Sequence, residues 1–336
     1  FDADTGALLW HASNADADLN ISELQYSIPG RISVIDRDND GYADHMYVAD
    51  MGGQLFRMDI YNGESGSDFI KGARLADFGG DTAESNRRFF YGPDVTEVAL
   101  GDELYYGVAI GSGWRASPLD TVVEDNFYMF KDDGVFQRDN SGLYTFSTSA
   151  SHADLYNATT HALTSTDQTT RDVAAANFAN KKGWYIELTT GGEKVLSSPL
   201  IIDYKVFFTT YVPAVSSTST CAPPTGNSRA YLVNMFNGNA VSDLNQNGDL
   251  DGGDRSAELK QTGIAPDTKI LIEEIVSPVV CLGTECVSAV ISVDEDGNEE
   301  ACTSAFACLA QNIYGKFERV QRGSWHSETE RDETSP

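Results

Sequence analysis

One pattern recurs along the chain and restricts what it can fold into. A short apolar or aromatic run is followed by Asp or Asn, then by a turn containing Gly, then by a second short run. Glycine permits the positive φ that a tight hairpin needs, and runs this short are typical of β-strands rather than helices. The copies are FDADTGALLW (1–10), YVADMGGQLFRMD (47–59), YMFKDDGVF (128–136), YLVNMFNGNAV (231–241) and ISVDEDGNEE (291–300).

Repeats of about 40 to 50 residues, each supplying four short strands, are the signature of a β-propeller. We therefore predict an all-β fold: a modified β-propeller of four-stranded blades over residues 1–327, with a charged tail at 328–336. The first residues, FDADTGALLW, resemble the middle of a domain. We expect upstream blades or domains in a longer protein.

Residues 151–182 depart from the strand pattern and are rich in Ala, Thr, Asn and Asp. Within them, RDVAAANFANKK (171–182) has a helical composition, and Thr169 or Thr170 is a suitable N-cap. This segment is predicted to be a helical or loop insertion between two blades.

The charge is strongly one-sided, because 51 acidic residues against 23 Lys and Arg give a net charge of −28. A surface this acidic repels nucleic acid and anionic lipid. No run of 18 apolar residues occurs, so no membrane-spanning helix is expected.

The sharpest chemical signal is the acidic segment DRDNDGYAD, residues 36–44. Calcium takes six to eight oxygen ligands, and alternating acids on a loop that turns at Gly41 bring such oxygens to one point. The predicted ligands at positions 1, 3, 5, 7 and 9 are Asp36, Asp38, Asp40, Tyr42 through its carbonyl, and Asp44. Strand-like flanks place the loop within a blade. Position 12 is Tyr47 rather than a bidentate Glu, which predicts weak binding, with Kd of ~10⁻⁴ to 10⁻³ M; an acidic, solvated hairpin is the alternative.

A second candidate calcium loop is DLNQNGDLDGGD, residues 243–254, with Gly248 at position 6. It matches the twelve-residue calcium pattern with Asp in place of the final Glu. Its candidate ligands are Asp243, Asn245, Asn247, Asp249, Asp251 and Asp254. The alternative is an Asn/Gly turn cluster without metal. A third acidic turn, DEDGN from Asp294, lacks later ligands and is predicted to be a turn alone.

The cysteines favour disulfides over metal. The chain has five: Cys221, Cys281, Cys286, Cys302 and Cys308. No CxxC pair or nearby His supports zinc, and the spacings within the cysteine-rich stretch 281–308 suit local disulfides, with free buried thiols as the alternative. Cys221 is left over and is expected to pair outside this segment.

Catalytic motifs are missing from the sequence. The histidines are scattered, and no nucleophile elbow, P-loop, dinucleotide fingerprint or HExxH motif occurs. The many acidic pairs are expected by chance at this net charge. We therefore predict a protein that is not an enzyme.

Three places in the chain resemble the C-terminal propeller domain of the PilY/PilC family of type IV pilus factors. They are KKGWYIELTTGGEKVLSSPLIIDYKVFFTTYVP (181–213) followed by Cys221 and SRAYLVNMFNG (228–238), PGRISVIDRDNDGYADHMYVADMGGQLFRMDI (29–60), and GSWHSE around Trp325. This resemblance implies a calcium-binding propeller at the pilus tip, outside a Gram-negative cell. The family's calcium site falls on the 36–44 loop.

The resemblance also implies partners and a role. The partners would be minor pilins of the pilus-tip complex and a host or abiotic surface. Calcium occupancy would be coupled to pilus extension versus retraction, and so to twitching motility and attachment. No RGD tripeptide occurs.

Two alternatives remain open at this point. FDADTGALLW also resembles the tryptophan-docking repeat of quinoprotein dehydrogenases, which are calcium-binding propellers that use pyrroloquinoline quinone. A general integrin-like calcium-binding scaffold differs from a pilus factor chiefly in its partner.

Overall fold

The computed structural model of the chain describes residues 1–101, 103–214, 225–271, 278–289, 291 and 302–313. These residues are mostly β-strands, arranged in successive meander sheets like the blades of a propeller. A short parallel ribbon comes first, formed by β1 (Ala12–Ser13) and β2 (Leu19–Asn20).

The first sheet is a four-stranded antiparallel meander in sequential order. Its strands are β3 (Ser33–Ile35), β4 (His45–Ala49), β5 (Gln54–Ile60) and β6 (Ile70–Asp77). The hairpin predicted at 47–59 is confirmed as β4 and β5. Gly53 in its turn has a φ of 75°, and the Asp50 carboxylate accepts hydrogen bonds from the amides of Gly52 and Gln54.

The second sheet has five strands in the order β10-β11-β9-β8-β7. They are β7 (Asp94–Leu100), β8 (Glu103–Gly111), β9 (Asn126–Asp132), β10 (Tyr156–Asn157) and β11 (Gly183–Glu187). Since β9 and β11 pair directly, the insertion lies inside this blade, and its predicted position between two blades is wrong. The inserted chain itself supplies β10, which pairs in parallel with β11 and widens the sheet.

The predicted helix is present as α1 (Gln168–Phe178), but it begins earlier than the sequence suggested. Its N-cap is Asp167, so the predicted caps Thr169 and Thr170 are wrong. The Asp167 carboxylate accepts both the amide and the hydroxyl of Thr170, at 2.8 and 2.6 Å. The Asp167 carboxylate can accept hydrogen bonds from the amide and the hydroxyl of Thr170 at the same time. Asp167 is therefore the N-cap, and Thr169 and Thr170 lie in the first turn of the helix.

The third sheet is centred on β14 and β15. Its strands are β12 (Lys194–Val195), β13 (Leu200–Ile202), β14 (Lys205–Val212), β15 (Asn227–Asn234) and β16 (Ser256–Thr262). Both β12 and β13 pair with β14, so together they form one edge strand interrupted before Leu200. The interruption contains Pro199, which has no amide hydrogen to donate to a ladder.

The last described sheet is three-stranded. It contains β17 (Lys269–Leu271), β18 (Val279–Leu282) and β19 (Glu285–Ser288), and α2 (Ala305–Gln311) packs against β19 and β16. None of the described helices has the length and apolar character to cross a membrane.

The other repeat copies fold less regularly than the pattern predicted. Residues 1–10 contain a turn but no strand, and in 128–136 strand β9 is followed by a 3-10 helix, Gly134–Phe136, instead of a strand. In 231–241 the returning chain makes a single bridge, Val233 with Ala240. The copy at 291–300 lies outside the described residues except for Ile291.

The first strands of three successive sheets meet, as expected for a propeller. The Ser33 hydroxyl donates to the Pro93 carbonyl, which joins the starts of β3 and β7. The Ile201 amide of β13 donates to the Asp94 carboxylate of β7 at 2.7 Å. These contacts place the entry edges of the three sheets side by side.

Aromatic side chains fill the spaces between the sheets. Phe78, which follows β6, stacks on Tyr128 of the second sheet with ring centroids 4.4 Å apart. Phe127 of that sheet stacks on Phe208 of the third sheet at 3.7 Å. All four side chains are buried, so each interface is a small hydrophobic core in its own right.

Candidate calcium loops

The first candidate loop, residues 36–44, joins antiparallel strands β3 and β4, so its predicted place within a blade is confirmed. Left-handed backbone at Asn39 (φ 59°) and at Gly41 (φ 90°) turns the chain tightly. The side chains of Asp38 and Asp40 lie at the surface and are accessible to an ion from solvent.

Backbone amides fold the loop around its own carboxylates. Asp36 accepts from the amides of Asp40 at 3.2 Å and Gly41 at 2.9 Å. Asp38 accepts from the Asp40 amide at 3.2 Å, and Asp40 accepts from the Tyr42 amide at 2.8 Å. As a result, carboxylate oxygens of Asp36, Asp38 and Asp40 lie within 4.8 Å of one another.

This cluster fits a hard cation. Within the described residues, none of the three carboxylates forms an ion pair with Lys or Arg, so their mutual repulsion is not offset by a neighbouring side chain. The donor atoms are all oxygens, which is the set that calcium prefers. The three residues therefore supply part of the oxygen set that a calcium site uses.

Asp44 lies apart from this cluster. Its carboxylate accepts from the Arg37 amide at 2.7 Å, and its own amide donates to the Ile35 carbonyl at 2.8 Å. Asp44 thus braces the base of the loop, where β3 and β4 begin to pair. Tyr42 holds the predicted position 7, with its side chain largely exposed.

The second candidate loop, residues 243–254, lies between β15 and β16 and repeats the same hydrogen-bond scheme. Asp243 accepts from the amides of Asn247 at 3.1 Å and Gly248 at 2.7 Å. Asn245 accepts from the Asn247 amide at 3.0 Å, and Asn247 accepts from the Asp249 amide at 2.8 Å. Gln246 and Gly248 have φ values of 58° and 91°, close to those of Asn39 and Gly41.

The two loops differ in how they close. In the second loop, buried Asp254 accepts from the amides of Leu244 at 2.9 Å, Asn245 at 3.0 Å and Asp251 at 2.9 Å. The Asp251 carboxylate accepts from the Gly253 amide at 2.7 Å. Asp254 therefore braces the loop as Asp44 does in the first, leaving Asp243, Asn245, Asn247, Asp249 and Asp251 nearer the solvent.

Both loops contact the chain between β9 and β11, residues 133–182, which contains the predicted insertion 151–182 and is called the insertion from here on. From the first loop, the Arg37 guanidinium lies 4.3 Å from the centre of the Phe136 ring and donates to the Val135 carbonyl at 3.4 Å. From the second loop, the Leu250 carbonyl accepts from the Thr164 hydroxyl at 3.1 Å. The insertion thus connects two loops that are about 200 residues apart in sequence.

A buried ionic network lies directly below the first loop, and sequence reasoning missed it. Arg57 pairs with Asp132 of β9 at 2.8 Å and with Asp59 at 2.9 Å, while Tyr47 donates to Asp132 at 2.8 Å. His45, the residue after Asp44, lies 2.7 Å from Asp59. All five side chains are buried. The signal was present in the sequence as charged residues inside the apolar strand QLFRMDI.

The electrostatics of this network follow from its burial. Burial alone would lower the pKa of Arg57, but the carboxylates of Asp132 and Asp59 outweigh it and raise that pKa. Burial raises the pKa of Asp132, although Arg57 acts in the opposite direction. The network holds the first and second sheets together with groups that are costly to leave unpaired.

The structure places Cys281 with Cys286 and Cys302 with Cys308 in two local disulfides. The Cys281–Cys286 disulfide links strands β18 and β19, since its two cysteines are cross-strand partners. Cys221, the turn at Asp294, the GSWHSE segment and the tail 328–336 lie outside the described residues.

Comparison with known proteins gives two informative matches, although no family model matches the chain. The chain is 28% identical over 232 residues to a type IV pilus biogenesis factor PilY1 homolog of Xylella fastidiosa. That match covers 66% of this chain but 15% of the relative, so the chain corresponds to a small part of that protein.

Among solved structures, the Pseudomonas aeruginosa PilY1 C-terminal domain matches with a TM-score of 0.52 and 15% identity. The match covers 76% of this chain and 59% of that one and therefore concerns the fold. An N10 neuraminidase-like protein of bat influenza A, with a TM-score of 0.29, is too distant to support any inference.

Proposed function

We propose that this chain, which is PilY1-like in sequence and fold, is the calcium-binding propeller of a type IV pilus-associated factor that acts at the cell surface or pilus tip without being an enzyme. One observation carries the calcium assignment. Two loops far apart in sequence adopt the same hydrogen-bond scheme, and in the first loop three carboxylates converge without a basic partner among the described residues.

The loop residues would have two roles: some would bind the ion, and others hold the base of the loop together. In the first loop Asp36, Asp38 and Asp40 would hold the ion, with the Tyr42 carbonyl beside them, while Asp44 keeps the loop closed on β4. In the second loop Asp243, Asn245, Asn247, Asp249 and Asp251 would hold the ion, while Asp254 braces the base. Bound calcium supplies the positive charge that offsets the repulsion between the clustered carboxylates.

A loop ordered by calcium would also order the part of the insertion that it contacts. Because Arg37 belongs to the first loop and contacts the insertion, order in the loop extends to residues 135 and 136. The loops and the insertion then form one surface, which we propose as the part that meets minor pilins of the pilus-tip complex and a host or abiotic surface. Calcium occupancy would bias pilus extension against retraction, and so twitching motility and attachment.

The test is genetic and uses the whole protein. The double variant Asp40→Asn and Asp243→Asn should change surface piliation and twitching, whereas Glu64→Gln, which removes one exposed acid outside both loops, should leave both unchanged. Wild-type piliation and twitching in the double variant would contradict the proposed function. An absorption band that appears on adding pyrroloquinoline quinone and calcium would support the quinoprotein alternative instead.

A further inference from the structure

A cleft of about 650 Å³ opens between α1 and the β10–β11 edge of the second sheet. Aromatic rings form its floor: Tyr156, and the pair His152 and Tyr185, whose ring centroids are 4.0 Å apart. Thr169, Val173 and Asn177 form the helical wall, and their spacing of four residues puts them on one face of α1. Val173 is 57% exposed and so presents an apolar surface in the cleft.

The cleft is nearly uncharged in a strongly acidic protein. No carboxylate lines it among the described residues, and its one charged side chain, Lys181, already donates to the Ala153 carbonyl at 2.6 Å. Burial lowers the pKa of His152 to about 4, so the imidazole is neutral at neutral pH. A cationic ligand would meet no carboxylate among the described lining residues, and an anionic ligand would approach against the field of a chain with net charge −28.

Hydrogen-bonding groups surround the aromatic floor. The Asn157 side chain is held in place, because its amide nitrogen donates to Glu187 at 2.9 Å and its oxygen accepts from the Thr159 amide at 2.9 Å. The Thr160 hydroxyl and the Asn177 side-chain amide line the cleft and have no hydrogen-bond partner among the described residues. Apolar rings with a few convergent polar groups are typical of a small-ligand site.

We propose that this cleft binds a neutral oligosaccharide. A sugar ring offers an apolar C–H face to the half-buried Tyr185 ring and to exposed Val173, and hydroxyls to Asn177 and Thr160, which matches the two kinds of lining group. The assignment gives the attachment role in the proposed function a ligand class and rests on that function for its biological meaning. The cleft lining includes none of the candidate calcium ligands.

Saturation-transfer NMR on the full chain tests the assignment directly. The probes are neutral trisaccharides of glucose, galactose, mannose and N-acetylglucosamine, with trigalacturonate and trilysine as charged counterparts. At least one neutral trisaccharide should receive saturation. Val173→Asp should weaken its binding at least about tenfold by placing a carboxylate in the cleft, and Asn177→Ala about threefold to tenfold by removing one hydrogen-bonding group.

Ala175→Asp is the matched control, since it adds the same charge to an exposed site on the opposite face of α1 and should bind like wild type. Saturation from no neutral trisaccharide, tighter binding of either charged probe, or equal binding by Val173→Asp and Ala175→Asp would overturn the proposal. Calcium titration of the loop variants is a separate readout, so failure of the calcium assignment and failure of the cleft assignment are distinguishable.

Discussion

In the first loop three acidic side chains converge, and a fourth accepts a backbone amide at the base of the loop. The alternate spacing of Asp36, Asp38 and Asp40 was enough to predict that these three come together, because a turn at Gly41 leaves little choice. The spacing could not predict that the Asp44 carboxylate stays outside the cluster and accepts from the Arg37 amide at the base of the loop. Asp36, Asp38 and Asp40 accept backbone amides too, so which carboxylates converge depends on local φ and ψ values that residue spacing does not encode.

Asp40→Asn tests the first loop at the level of one charge. Its side-chain oxygen can still accept from the Tyr42 amide, so the loop should keep its shape while the site loses one negative charge. Calcium affinity of this loop should fall about tenfold or more, as measured by calorimetry. Glu64→Gln removes the same charge elsewhere and should leave the affinity unchanged; equal affinities for both variants would remove Asp40 from the site.

Asp132→Asn tests the buried ionic network. It leaves Arg57 buried with a weakened partner, so the free energy of unfolding in urea should fall by about 3 to 5 kcal/mol. The neighbouring Asp133 is exposed, and Asp133→Asn should change stability by less than about 0.5 kcal/mol. A loss in Asp132→Asn no larger than in this control would show that the network is not important for stability.

Asp125 should make stability depend on pH. Asp125 is 2% exposed, and burial raises the pKa of its carboxyl from 3.8 to about 6 despite a hydrogen bond from Ser112. The folded state therefore binds this proton more tightly than the unfolded state. The associated stabilisation is complete below about pH 4 and is lost as pH rises through about 6.

The matched comparison is Asp125→Asn, which does not titrate at this position. From pH 4 to pH 7 the wild type should lose stability relative to the variant, by on the order of 2 to 3 kcal/mol. Urea melts of both proteins in calcium-free buffer measure this difference, and histidines common to both cancel. A difference that stays constant with pH would show that the Asp125 pKa is not raised.

Among the elements, the insertion of the second sheet was the hardest to predict. Its composition correctly indicated a helix, but its position depends on β9 and β11 pairing across about 50 residues of intervening chain. Strand partners that are distant in sequence leave no local pattern. The same limit applies to YMFKDDGVF, where Gly134 starts a 3-10 helix because the chain leaves the sheet to enter the insertion.

Arg37→Ala tests whether the first loop orders the insertion. In wild type, calcium should slow amide hydrogen exchange in residues 134–147, since Arg37 links the loop to Val135 and Phe136. The variant should lose that calcium-dependent protection. Arg138→Ala is the control, because Arg138 packs on Tyr144 within the insertion itself. If calcium still protects these amides in Arg37→Ala, the Arg37 contact does not couple the loop to the insertion.

At the scale of the whole molecule, the repeated strand pattern predicted the fold class because a four-stranded meander is built from local hairpins. Aromatic residues in the strands provide the interfaces between sheets, as Phe78 with Tyr128 and Phe127 with Phe208 show. The sequence could not assign each repeat to a sheet, since FDADTGALLW forms no strand and the ribbon of β1 and β2 follows it. Contacts between sheets depend on the assembled structure.

We propose above all that this PilY1-like chain binds calcium in both loops. Calorimetric calcium titration of wild type, Asp40→Asn, Asp243→Asn and the double variant tests it most directly, with thermal melts alongside. We predict two sites in wild type, an affinity about tenfold or more weaker for the altered loop in each single variant, and the same weakening of both loops in the double variant. Occupancy at 100 times Kd should add about 2.7 kcal/mol of stability per site. Absence of binding in wild type, or binding unchanged in the double variant, would contradict the account.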